Sequence, residues 1–159
     1  MLVKMFPRGD AREPEIRFNG FEGEWETGFV ADVADQVVGF PFESSGFKTK
    51  GITLVRGGNV KRGFLDRSPE ITVYWDTTSG LETFLLEEGD IVIQMDGALI
   101  GRSFAKIQST DLPALLVQRV SRLRVSGYDA DFLFAQLKAG FLAYIRKNKC
   151  LDHVFSNGV

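Results

Sequence analysis

The chain has 159 residues, 44% of them hydrophobic, and a formal net charge of -2. That size suits one domain with a buried core, in which folding hides roughly 70% of the chain's surface. The single cysteine, Cys150, excludes an internal disulfide or a cysteine zinc cluster and fits a reducing cytoplasm, and no apolar run reaches the ~18 residues of a membrane span.

The charges are segregated along the chain. Residues 1–42 carry four basic and eight acidic side chains, and 43–67 carry six basic and two acidic. Residues 70–96 carry seven acidic and no basic ones, and 97–124 carry five basic and one acidic. Such blocks either cancel in space or give an acidic protein a positive face that attracts a polyanion.

Residues 1–13 read as a flexible lead-in, broken by Pro7 and Gly9. The N-terminus turns polar too early for a signal peptide. From Pro14 a turn-rich arm carries Phe18, Phe21 and Trp25, which are expected either to pin it over the domain or to sit in a first strand. Val30 to Gly39 is a helical turn or a short strand. Pro41 after it excludes a central strand. Lys48 and Lys50 precede the strand signal Ile52-Thr53-Leu54-Val55, and Gly57-Gly58-Asn59 is a turn signal. Arg56, Lys61 and Arg62 surround that turn. Cations, glycine amides and an asparagine together suit phosphates and base edges.

Ile71 to Trp75 is a further strand candidate. Asp76, Glu82, Glu87 and Glu88 read as solvated acids, because no histidine or compact ligand loop accompanies them. Leu85 to Arg102 reads as strand, tight turn, second strand, with Ile91-Val92-Ile93 buried and Gly97 and Gly101 at the turn. Asp90 is expected to cap the acidic turn before it. In Leu115 to Val125 the residues alternate from Val120 on. This predicts a half-exposed strand with Arg122 and Arg124 outward, and Gln118 is read as a buried amide. Asp129 to Arg146 has helical periodicity, with Asp129 or Asp131 as N-cap. Gly140 is a break in that run, Lys147 and Lys149 end it, and His153 reads as a structural or surface residue.

Several of these segments resemble the specificity subunits of type I restriction-modification enzymes, the HsdS family. The arm has the form P-x-x-R-F-x-G-F-x-x-x-W, with Asn19 where proline is commoner. The central stretch, with Leu86, Gly89, Asp90, Ile91, Val92, Gly97, Ile100, Gly101 and Arg102, is similar to the family's most shared segment. It departs at Gln94-Met95-Asp96, where the family usually has a cation or a serine-arginine pair. The resemblance runs from Pro14 to the end of the chain.

It implies one α+β target recognition domain over residues 14–159. The expected fold is a twisted, mostly antiparallel sheet or partial β-barrel with C-terminal helices packed on it. The domain would read half of a bipartite site in double-stranded DNA and catalyse nothing itself. Partner modification and restriction subunits would do the chemistry, with S-adenosylmethionine on the modification subunit and no cofactor on this chain. The chain stops before the family's spacer helix. It is therefore read as half of a split subunit, a truncated product or an excised domain, with a homodimer or a second half-subunit completing it. Lys48, Lys50, Lys61, Arg62, Arg102, Arg119, Arg122 and Arg124 are the expected phosphate contacts, and Arg56 and Asn59 the expected base readers. Two alternatives belong to other classes: a non-DNA protein-interaction module, and a remnant of a nuclease or methyltransferase.

Overall fold

The computed structural model describes residues 2–5, 7, 11–20, 22–25, 28–96 and 102–138. The expectations for Phe21, Gly97, Ile100, Gly101, Gly140, the helix beyond Lys138, Cys150 and His153 lie outside the described residues.

The chain forms two compact units, Met1–Asp32 and Val33–Val159. The first of them includes residues 14–32. This first unit is a turn-rich segment closed on itself. Main-chain bonds join Ile16 N–H to Lys4 O (3.1 Å) and Trp25 N–H to Arg12 O (2.8 Å). Ion pairs Lys4–Glu15 and Arg12–Glu24, both 3.1 Å, run beside them. Phe18 is 67% exposed.

The second unit holds two open sheets and a helix. The larger sheet has the order β1-β7-β4-β5, antiparallel throughout: β1 Ala34–Val38, β7 Val120–Val125, β4 Ile91–Gln94 and β5 Phe104–Lys106. The smaller has the order β3-β2-β6: β3 Tyr74–Trp75, β2 Ile52–Val55 and β6 Ala114–Leu116, with β2 and β6 parallel. Neither sheet closes into a barrel. The Ile71–Trp75 strand signal shrinks to two residues, because Ile71 and Thr72 turn back on Ser68 O (both 3.1 Å).

The small sheet is buried on both faces, which explains its continuous apolar runs. Val55, Ala114 and Leu116 join Val92, Ala105 and Val120 in one core cluster. Leu54 and Leu115 face the other way, into a cluster with Phe42, Leu81 and Val117. Aromatic edges complete that second cluster: Phe40–Phe42 and Phe42–Trp75 centroids are both 5.0 Å apart.

Both readings of Val30 to Gly39 hold in part: a 3-10 turn at Val30–Asp32 leads into β1. After β1 the chain crosses from one sheet to the other at Gly39. Gly39 N–H bonds Val120 O (3.0 Å), and Phe40 N–H bonds Leu116 O (3.0 Å). The crossing is so close that a Cβ on Gly39 would lie 2.2 Å from the Val117 carbonyl.

The acidic turn before β4 behaves as expected. Asp90 is buried, its Oδ2 accepts the Glu87 N–H (2.7 Å), and Gly89 takes φ +91° to complete the bend. The helix α1 spans Ala130–Gln136 and is capped by Asp129, whose Oδ1 accepts the Phe132 N–H (2.7 Å). Leu133 and Leu137, one helical turn apart, are buried. Phe134 meets the ring of Phe104 in β5, centroids 5.4 Å apart. Among the described residues no helix is long and apolar enough to cross a membrane, and no cluster of metal-ligating side chains occurs.

Candidate nucleic-acid interface

Strand directions bring several loops to one end of the second unit. β4 ends at Gln94, which pairs with Val120 at the start of β7, and Ile93 pairs with Phe104 at the start of β5. β2 and β6 run parallel, so Arg56 after β2 and Gln118 after β6 emerge at that same end. The segment after the Arg56 turn lies against the start of β5, where Arg62 bridges Phe104 and Gly63 N–H bonds Phe104 O (2.7 Å). Arg56, Arg62, Arg102 and Arg119 therefore share this end.

Between these loops lies an open cleft of about 720 Å³, lined in part by Phe47, Arg56, Gln94, Asp96, Gln118 and Arg119. Arg56 stands over the ring of Phe47, 5.5 Å from its centroid, and donates to Ile71 O. That contact orients a half-buried guanidinium at the cleft wall. Arg119 is paired with Asp96, Nε to Oδ2 3.3 Å. Arg62 and Arg102 are exposed and make no ion pair with a described residue. Such cations are the ones an anionic ligand engages at least cost.

No family model matches the chain. The chain is 32% identical over 162 aligned positions to the EcoAI type I restriction enzyme specificity subunit of Escherichia coli, an alignment that covers 99% of this chain and 26% of that protein. Over nearly its whole length the chain is similar to one part of a type I restriction enzyme specificity subunit. Its fold is also similar to that of a solved HsdS subunit. The crystal structure of the HsdS subunit from Thermoanaerobacter tengcongensis matches 99% of this chain with a TM-score of 0.58 at 13% identity. The chain spans about a quarter of the length of the first relative and covers 44% of the second.

Within this fold, several residues expected at the interface have other work. Asn59 is 1% exposed, and both ends of its amide are used: Oδ1 accepts the Arg56 N–H (3.1 Å) and Nδ2 donates to Asp66 O (3.0 Å). It ties the glycine turn together from inside and does not face a base. Asn59→Ala is expected to destabilise the fold by about 2–3 kcal/mol, because it orphans a buried N–H and a buried carbonyl. Urea unfolding followed by circular dichroism measures this.

Arg122 and Arg124 are corrected too. Val120 to Leu123 of β7 are buried and Arg124 is only part-exposed, so the face that carries the two arginines is not a free outer surface. Arg122 is 4% exposed and donates to Asp35 Oδ2 (2.7 Å). Arg124 clamps Asp90 through two bonds of 2.8 Å and also donates to Glu87 Oε1 (2.6 Å) and Leu85 O (3.0 Å). Alternation placed both arginines on one face correctly, but that face carries acidic partners.

Lys50 is exposed just before β2, at the opposite end of that strand from Arg56, whereas Lys48 is exposed next to Phe47, whose ring lies under Arg56. Lys61 lies 3.8 Å from Asp66. Bonds from the Ser68 hydroxyl and N–H hold the Asp66 carboxyl below the ordinary aspartate range, so Lys61 faces a committed anion. Gln118 is exposed at the cleft, not buried. Gln94 and Asp96 were not singled out from the sequence as cleft residues. Their signal was indirect: the polar pair Gln118-Arg119 interrupts an apolar run, marking a turn that has to pack beside the end of β4.

Proposed function

We propose that this chain is a target recognition domain that reads one half of a bipartite DNA site through the loop end of its two sheets. The observation that carries the reading is the placement of Arg56, Arg62, Arg102 and Arg119 at one end of the second unit, where Arg56 and Arg119 line an open cleft, in a chain similar to part of a type I specificity subunit. Exposed arginines at the rim supply sequence-independent attraction to phosphates, and polar groups in the cleft meet base edges. The contribution of this chain is recognition. Methyl transfer from S-adenosylmethionine and DNA cleavage belong to partner modification and restriction subunits. A second recognition domain, from another copy or another polypeptide, reads the other half-site.

Fluorescence anisotropy with a labelled duplex, titrated with salt, tests this placement. Log affinity is expected to fall linearly with log salt concentration. Arg62→Ala and Arg102→Ala are each expected to lower the magnitude of the slope by about 1, as loss of one phosphate contact does. The change Lys50→Ala leaves the slope unchanged. A slope that responds only to Lys50→Ala moves the interface to the opposite end. Binding that ignores DNA favours a protein-interaction module.

A further inference from the structure

Arg119 is the one non-glycine residue with positive φ among those described, at φ 70°. It occupies the second central position of the turn between β6 and β7, closed by Val120 N–H on Val117 O (3.2 Å). Glycine is the ordinary choice there, because a Cβ makes this backbone region unfavourable. A long charged side chain held at such a position, beside a cleft, points to a task for that side chain.

The surrounding contacts fix how the side chain is presented. Met95 N–H bonds the main-chain oxygen of Arg119 (2.9 Å), which joins this turn to the end of β4. Gln94 Nε2 donates to Asp96 O (3.1 Å), and the Gln94 amide fits against Gly57, where a Cβ would lie 3.3 Å from it. Three loops are therefore braced together. Asp96 approaches Arg119 at Nε, and the two terminal nitrogens make no hydrogen bond with a described residue. The side chain is 72% exposed, so those two nitrogens form an open, planar, two-donor edge.

Resting on the DNA reading above, we propose that Arg119 reads a guanine in the major groove through its two terminal nitrogens, with Asp96 as the residue that positions it. A pair of parallel N–H donors matches guanine O6 and N7. The choice of a base over a phosphate follows from charge. Asp96 already neutralises Arg119, and its carboxylate repels an approaching phosphate, whereas the neutral acceptor edge of guanine meets no such repulsion.

The test compares the wild-type chain with Arg119→Gly and Asp96→Asn on the half-site recovered by duplex selection, with each guanine in turn replaced by 7-deazaguanine, which lacks the N7 acceptor. One position is expected at which that replacement weakens the wild type on the order of 10-fold and leaves Arg119→Gly unaffected. Arg119→Gly keeps or raises Tm, because glycine suits this backbone. Asp96→Asn, with one negative charge fewer, binds unrelated duplexes more tightly and discriminates guanine less well. If Arg119→Gly instead weakens binding equally on all sequences and lowers the salt slope by about 1, Arg119 is a phosphate contact and the inference is overturned while the DNA reading stands. Unchanged discrimination in Asp96→Asn overturns the positioning role. A wild type that binds no duplex removes the DNA reading and this inference with it.

Discussion

Gly39→Ala is expected to destabilise the second unit by about 3 kcal/mol or more, at or beyond the upper end for overpacking a well-packed interior. The new methyl would lie 2.2 Å from both the carbonyl carbon and oxygen of Val117 and 2.8 Å from the Leu116 carbonyl carbon. These are main-chain atoms in β6 and its turn, so no rotamer change relieves the clash. Relief requires β1 to part from the β6–β7 turn, breaking the Gly39–Val120 and Phe40–Leu116 bonds. The same turn carries Gln118 and Arg119, so whatever protein remains folded also loses DNA affinity. Urea unfolding gives the stability change, and a midpoint within error of wild type would show that the crossing is not closely packed in solution.

Arg124→Ala is the second large effect. It leaves Asp90, whose side chain is 1% exposed, without its guanidinium. Hydrogen bonding to Asp90 raises Arg124 above the ordinary arginine range, so the pair is charged on the arginine side at every working pH. Removing one partner of a buried pair costs about 3–5 kcal/mol, and the lower figure applies here because Arg124 itself is 30% exposed. Arg124→Lys recovers only part of the loss, since an ammonium does not reproduce the two parallel bonds to Asp90. Chemical unfolding of both variants checks the order. DNA binding per folded molecule is expected to be unchanged in Arg124→Lys, which separates this arginine from the four at the loop end.

The legible part of the fold was the part governed by apolar periodicity. Ile52 to Val55 and Ile91 to Ile93 are strands because β-branched and aliphatic residues run together between turn residues. Asp90 and Asp129 were legible as caps because short acidic side chains satisfy free N–H groups at turns and helix starts. What local pattern does not carry is strand position. Arg122 and Arg124 alternate as a half-exposed strand does, yet Arg122 is 4% exposed, and the residues that claim the two, Asp35, Glu87 and Asp90, come from other segments.

The interface was legible as a list of cations but not as a place. Arg56, Arg62, Arg102 and Arg119 meet only because β2 and β6 are parallel while β4, β5 and β7 are antiparallel, and local pattern does not specify those pairings. Lys50 is six residues from Arg56 in sequence, and β2 separates them. The charge blocks show the same limit. Residues 70–96 are acidic, but Glu87 and Asp90 are spent on Arg124, and Asp96 enters the cleft beside Arg119.

The most direct measurement is selection of bound duplexes from a random pool, at low and near-physiological salt, with and without the modification subunit. It is run on the wild type and on the double variant Arg56→Ala, Arg119→Gly. The wild type is expected to enrich a short half-site, and the double variant to bind DNA still at low salt but enrich nothing. The same motif recovered from both proteins, or no motif from the wild type under any condition, would contradict the claim that this end of the sheets reads sequence.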